Sequence, residues 1–406
     1  MADPSNRLVY GVTDYKRAAT IAAYIQYPDG HLLTLRPPAG CVRRPVAPRA
    51  ARKYCRPGRA MREPVDLAMA PDGGHLYVLT HGAELVNDGG VVTLRRQARG
   101  WIKQPAGKAG CITEQGTGSC AKGRSMDQGR RMAMSLDGRS LYVTSQTGGI
   151  AILQRTEGSG ALVQPAGDAG CVISQFKPTG STCARVPVPD MVPTDIVVSP
   201  DGGFVYVAMA DGASGALVVY MRDQTSGGLT FASCVAEGGG GAPCAQGRGL
   251  AGASAIAVSP DGRTVYAAAH WFRDGGTLTT FTRDATLGTL TQLDGANGCV
   301  AAAPLDDTCA QGQPFVRPTS LGVSHDGASV YVVYANDLAG TGDGSILAEY
   351  SRDSVEGALT LSGCLARKRK GCGRVRGVYG FTRVTISVDG RYMYLGGQSG
   401  TGIFQT

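Results

Sequence analysis

The sequence has no leftover thiol, no CxxC pair, no GxSxG elbow and no phosphate-cradling P-loop, and its five histidines are scattered singly. A zinc knuckle needs clustered Cys and His ligands, so that class falls away. The nucleophilic hydrolase classes lose support with the missing elbow. No apolar run approaches the roughly 18 residues that span a bilayer. The opening MADPSNRLVY lacks a basic segment followed by an apolar one, so a signal peptide is expected to have been removed, or the start reassigned.

What is present is 43% hydrophobic residue and an abundance of turn formers, 60 Gly and 21 Pro in 406 residues. These lie between short apolar stretches and not in tracts, which argues against long helices, disorder and collagen. A chain this long exceeds the roughly 250 to 300 residues at which a single core stops growing, unless the core is divided among repeats.

The twelve cysteines fall into six close pairs: Cys41 with Cys55, Cys111 with Cys120, Cys171 with Cys183, Cys234 with Cys244, Cys299 with Cys309 and Cys364 with Cys372. This spacing points to six local disulfides, which persist in oxidising compartments, so a secreted or periplasmic location is expected.

One phrase recurs: APDGGHLYV at Ala70, SLDGRSLYV at Ser135, SPDGGFVYV at Ser199, SPDGRTVYA at Ser259, SHDGASVYV at Ser324 and SVDGRYMYL at Ser387. The steps are 65, 64, 60, 65 and 63 residues. An Asp-Gly turn between apolar runs predicts a hairpin, strands A and B. Stretches such as ALVVYMRDQTSGGLTF predict a second hairpin, strands C and D. Four-stranded antiparallel units repeated radially make an all-β propeller with a disulfide-closed loop after most blades. Tyr10 occupies the strand-B tyrosine position of a partial first unit, 7–64, and the last, 381–406, is also partial. The count favours seven blades over six, in one domain spanning 1–406.

In a propeller the D-to-A connections, which carry the cysteine pairs, share a face with the B-to-C loops, and function usually sits on such loops. Four residues after the strand-B tyrosine the units carry Asp14, His81, Gln146, Ala210, His270, Ala335 and Gln398. Six residues before the turn aspartate they carry Asp66, Arg131, Asp195, Ala255, Ser320 and Arg383, each followed by an apolar residue. A varied polar position beside a uniform core position is how similar blades would build one asymmetric pocket. His81 or His270 could move a proton, Asp66 or Asp195 orient it, and Arg131, Arg383, Gln146 and Gln398 hold a carboxylate. No metal or other cofactor is expected, because the acidic B-to-C loops lack the alternating ligand pattern of a calcium loop. His31, His75 and His325 fall in or beside turns and carry no assignment.

The formal charge of +8 is unevenly placed. The stretch from Cys41 to Arg62 holds eight basic residues, among them Arg43, Arg44, Arg52 and Lys53, and no acid. That from Cys364 to Arg376 holds six more, including Arg367, Lys368, Arg369 and Lys370. The remaining 26 basic and 32 acidic residues leave the body acidic. Such patches suit a small anionic substrate or an anionic envelope polymer. Nucleic acid is disfavoured because aromatics are not interleaved with the charge. A monomer is expected.

The SPDGxxVYVA hairpin, the RDxxxGxLT turns (Arg222-Asp223, Arg283-Asp284, Arg352-Asp353) and the cysteine loops with CRPGR at Cys55, CAKGR at Cys120 and CAQGR at Cys244 resemble the bacterial lactonase-type seven-bladed propellers, a group that includes 6-phosphogluconolactonase-like and carboxymuconate-cyclase-like proteins. The resemblance covers essentially the whole chain and rests on structural motifs. It implies a lactone hydrolase or cycloisomerase that works without a redox cofactor, using His, Arg and acidic side chains at the channel mouth. The alternative is a non-catalytic module that binds an anionic polymer or protein through the basic loops.

Overall fold

The computed structural model describes residues 8–15, 18–27, 31–35, 40–44, 55–82, 88–177, 182–239, 243–270, 275–302, 308–313, 316–335, 344–367, 369–375, 380–387, 389–397 and 400–405. They form seven β-sheets in chain order, with no α-helix among the described residues, and the fold class is that of a seven-bladed β-propeller. Two compact units divide the chain. One holds blades 1 to 3 (1–186, with 223–229), the other blades 4 to 7 (187–222 and 230–406).

Blade 2 shows the repeat. Strand A is Pro64–Met69, B is His75–Thr80 and C is Gly90–Arg96, each antiparallel to the next. Strand D is split into Ile102–Lys103 and Cys111–Thr113, which pair with opposite ends of C. The four antiparallel strands are as expected, and the structure adds one more to them. After the disulfide loop, Ala121–Lys122 returns to lie parallel to the second half of D, adding a fifth strand to the edge. The same parallel strand closes blades 1, 3, 4, 5 and 6.

The cysteines pair as their spacing implies. Cys41 is bonded to Cys55, Cys111 to Cys120, Cys171 to Cys183, Cys234 to Cys244, Cys299 to Cys309 and Cys364 to Cys372. In each pair the first cysteine lies in strand D and the second directly precedes the returning strand, as Cys183 precedes Ala184–Val186, Cys309 precedes Ala310–Gln311 and Cys372 precedes Gly373–Arg374. The bridge therefore fastens the loop that brings the fifth strand back. The first blade begins in strand B, Leu8–Tyr15, and the seventh ends in strand C, Gly400–Gln405.

B strands within a unit are buried on both faces where a blade has a neighbour on either side. Leu76 and Val78 join Tyr10 and Ile21 of blade 1, while Tyr77 and Leu79 join Leu141 and Val143 of blade 3. The pattern repeats in the second unit, where Tyr206 and Ala208 pack with Val265 and Ala267, and Tyr266 and Ala268 with Val330 and Val332. The core is thus a series of blade-to-blade layers.

The recurrent Tyr, Asp-Gly and Arg-Asp residues meet in a latch between successive blades. In blade 4, Tyr206 donates its hydroxyl hydrogen to the Gly288 carbonyl of blade 5 at 2.9 Å. Arg283, at the end of blade 5's strand C, donates Nε to the Tyr206 hydroxyl at 2.6 Å, one Nη to the Gly262 carbonyl and the other to the turn carboxylate of Asp201. Arg352 repeats this on Tyr266, Gly327 and Asp261, and Arg155 repeats it on Tyr77, Gly138 and Asp72. Gly288 has a φ of +70°, and a Cβ there would lie 2.2 Å from the Phe204 ring, so only glycine fits. Burial alone would raise the pKa of Asp201. The Ser199 hydroxyl, the Gly203 N–H and Arg283 outweigh it and hold the carboxyl below its usual range. In blade 2, His75 is also buried in the latch, its Nδ1 3.2 Å from Arg155, and burial followed by that cation lowers its pKa.

Arg283→Ala is expected to destabilise the protein by about 3 kcal/mol, because the buried Tyr206 hydroxyl and Gly262 carbonyl lose a charged donor. Asp201→Asn should cost under about 1 kcal/mol, since its side chain is 42% exposed and water screens the ion pair. Urea denaturation of the two variants checks the ranking. Equal losses would mean the ion pair, not the buried hydrogen bonds, carries the latch.

Candidate functional site

The expectation that disulfide loops and B-to-C loops share an end holds within blade 2. Asp88 of the B-to-C loop accepts from Gln115 N–H at 2.9 Å and from the Thr117 hydroxyl, and the Gly89 carbonyl accepts from Glu114 N–H.

Every described strand A carries a β-bulge at this end, between Pro64 and Asp66, Gly129 and Arg131, Pro193 and Asp195, Ala253 and Ala255, Pro318 and Ser320, and Phe381 and Arg383. A bulge adds one residue and re-aims its neighbours. It therefore explains why a polar position sits beside a constant apolar one. The extra residues are Val65, Arg130, Thr194, Ser254, Thr319 and Thr382. In the second unit Thr194 and Ser254 donate to the carbonyls of Ala253 and Pro318 in the neighbouring strand A, both at 2.7 Å.

The carboxylates expected to orient histidine have other work. Asp66 accepts from the N–H groups of Leu67 and of Met132 in the next blade, both at 2.9 Å. Asp195 does the same with Ile196 and Ile256, both at 3.0 Å. Ser320 accepts from Val384 N–H in the same way. These residues tie neighbouring inner strands together, because a carboxylate at the bulge reaches the exposed amide of the next blade.

In the first unit the carboxylate beside His81 is Glu63, with Oε2 3.9 Å from Nδ1. Arg131 donates to the Arg130 carbonyl at 2.9 Å. Arg130 itself, at the bulge, donates Nε to the Gln146 side-chain oxygen, and burial lowers its pKa. A partly desolvated guanidinium held by an amide oxygen suits an incoming carboxylate.

In the second unit His270 is half-buried at the end of its B strand, and among the described residues its buried Nδ1 has no hydrogen-bond partner. Burial, and then the cation of Arg317, push its pKa below the ordinary value. The imidazole is therefore neutral at neutral pH and able to accept a proton. Arg383 lies half-buried on the inner strand of blade 7. Gln398 and the side chain of Asp14 fall outside the described residues.

Residue-type reasoning missed one further position. Just before strand A, Glu63, Gln128 and Arg317 adopt left-handed φ of +45°, +48° and +56°, where blades 5 and 7 have Gly252 and Gly380. Each non-glycine costs about 1 to 2 kcal/mol there. Their carbonyls accept from the N–H groups of His81, Gln146 and Ala335, and Gly252 accepts from His270, so this row flanks the B-strand ends. The only sequence signal is the glycine at two of the equivalent places.

The basic loops are mixed in character. Arg43 is 6% exposed and donates to the carbonyls of Cys55 and Arg44, so it builds the loop and is removed from the anion-binding set. Arg44 is half-buried, Arg367 and Lys370 are exposed and Arg369 is intermediate. Arg52, Lys53 and Lys368 fall outside the described residues. The closing arginines of CRPGR, CAKGR and CAQGR are structural. Arg59, Arg124 and Arg248 each donate to two carbonyls of the turn in the next blade's strand D.

No family model matches the chain, and no curated protein sequence matches it. Solved structures do. A periplasmic gluconolactonase of Pseudomonas aeruginosa superposes with a TM-score of 0.60 at 18% identity, over 98% of this chain and 91% of that one. A Bacteroides uniformis protein provisionally called a 6-phosphogluconolactonase gives 0.57 at 14% identity, over 89% and 82%. A Desulfotomaculum acetoxidans protein of unknown function gives 0.57 at 12% identity, over 98% and 92%. At these identities the likeness speaks for architecture, and the chain shares the fold of the lactonase-type β-propellers.

Proposed function

We propose that the protein is an extracytoplasmic lactonase-like enzyme that hydrolyses a carboxylated lactone by acid-base and electrostatic catalysis. The observation that carries this reading is His270, a neutral imidazole with a cation, Arg317, beside it and a buried Nδ1 that has no hydrogen-bond partner among the described residues. His270 takes a proton from water as the oxygen bonds to the lactone carbonyl carbon. Arg317 stabilises the oxyanion. The ring C–O bond then breaks, and the imidazolium returns its proton to the departing alkoxide, leaving a hydroxy acid. His81, with Glu63 near its ring, is the second candidate for proton transfer. Within the unit that holds His270 the carboxylate-binding group is Arg383; within the unit that holds His81 the corresponding groups are Arg130, Arg131 and Gln146.

Support for the compartment comes from the six disulfides, the usage of an oxidising environment. Among the described residues no helix is long and apolar enough to cross a membrane. The test is turnover of a panel of lactones with and without a free carboxylate, followed by titration of the acid released. Carboxylated members are expected to turn over at least about tenfold faster, the effect of one charged contact. Equal rates across the panel would remove the arginines from substrate binding, and no turnover would remove the reading.

A further inference from the structure

We infer that a cationic cleft on the outer edge of blades 1 and 2 binds an acidic oligosaccharide, independently of the proposed lactone chemistry. The cleft encloses about 730 Å³ within the first unit. Its floor is apolar, formed by Val42, Pro57, Pro105, Ala106 and Ala109. Four cations line it, Arg56, Arg59, Arg95 and Lys103, and among the described residues no acidic side chain does.

Three of these charges are not required by the repeat. Arg95 and Lys103 face each other directly across the antiparallel ladder. Like charges placed opposite one another destabilise a sheet. The equivalent pair is Gln154 and Val163 in blade 3, and Thr282 and Thr291 in blade 5, so the architecture does well without charge at this place. Arg56 follows the second cysteine of its loop where the five later loops have an uncharged small residue: Ala121, Ala184, Ala245, Ala310 and Gly373. Arg59 is the exception, since it is the clamp arginine that blades share.

A local excess of unneutralised cations raises the concentration of anions around it and strengthens their binding. Volume and floor specify more. About 300 to 1,000 Å³ is the range of sites for organic ligands. Proline and alanine surfaces offer contact to sugar C–H faces, while the arginines and lysine meet carboxylates or phosphates on the rings. The shared chemistry is therefore a short saccharide with an anionic group on successive residues.

Calorimetric titration with hexagalacturonate tests the proposal, with maltohexaose as the uncharged control and tripolyphosphate as the sugar-free anion. The native protein is expected to bind hexagalacturonate, more weakly as salt rises. The Arg95→Gln/Lys103→Gln double variant should bind it at least about tenfold more weakly, since two charged contacts are lost. Its melting temperature should stay level or rise, because a repulsive pair has been removed, and its lactone turnover should be unchanged. Undiminished binding by the double variant, or equal binding of maltohexaose, overturns the cleft. Binding of tripolyphosphate alone overturns the saccharide. Loss confined to an Arg367→Gln/Lys370→Gln variant moves the anion site to blade 6 and likewise overturns it. Loss of lactone turnover by the Arg95→Gln/Lys103→Gln variant would overturn the separation of this cleft from catalysis.

Discussion

Substituting His270 with alanine is expected to lower lactone turnover by about 10²-fold or more, the ordinary contribution of a positioned proton-transfer group. The pH profile makes this specific. A general base works only when unprotonated, so kcat/KM rises with pH through the pKa of the imidazole and then levels. Burial and Arg317 both depress that pKa, so the rising limb lies below the ordinary histidine value of about 6.5. Arg317→Gln removes one of the two causes, and the limb should move to higher pH while the plateau falls. A histidine with only a structural role would leave the limb in place. If His81→Ala abolishes turnover and His270→Ala does not, the base is His81. The His270 substitution should leave the melting temperature level or higher. Its Nδ1 is buried without a hydrogen bond among the described residues, so deleting it removes a desolvation penalty.

Reduction of the six disulfides is expected to have the largest effect on stability. The bonded cysteines are 8 to 14 residues apart, and on the chain-entropy account each bridge contributes about 2 to 3 kcal/mol by restricting the unfolded chain. The loops do not overlap, so their effects should add to a first approximation. Full reduction should therefore remove an amount comparable to the net stability of most domains, about 5 to 15 kcal/mol. Thermal melting with and without reductant, with thiols counted by alkylation and mass measurement, checks it. A melting curve unmoved after all twelve thiols are free would show that the edge strands hold without their fastening. The pair Cys111 and Cys120 should matter among the most, because both sulfurs lie in the core layer of blades 1 and 2.

The period, the A-to-D strands and the cysteine pairing were legible because each is a local pattern repeated many times. The fifth strand was not, since two residues such as Ala121–Lys122 carry no alternation to read. Tyr206, Asp201 and Arg283 were each visible as local signals. Their meeting was not, because Arg283 and Asp201 are 82 residues apart, more than one repeat. Asp66 and Asp195 were found as a varied ring position and assigned to chemistry, yet their oxygens reach amides one blade away. The histidine position was readable from the strand-B tyrosine. The left-handed row of Glu63, Gln128 and Arg317 depends on backbone geometry that residue type conceals.

The latch has a direction, and this bears on how such a chain can grow. A blade offers its tyrosine and turn aspartate to the blade after it, and gives its own arginine and glycine carbonyl to the blade before. Each repeat therefore carries a socket at one side and a matching plug at the other. Duplicating or excising a whole repeat of about 64 residues leaves latched junctions such as those of blades 2 and 3, 4 and 5, and 5 and 6 with compatible ends, whereas half a repeat leaves two plugs or two sockets facing each other. The length of the chain is thus free to change in steps of one blade, and resistant to change in any smaller step.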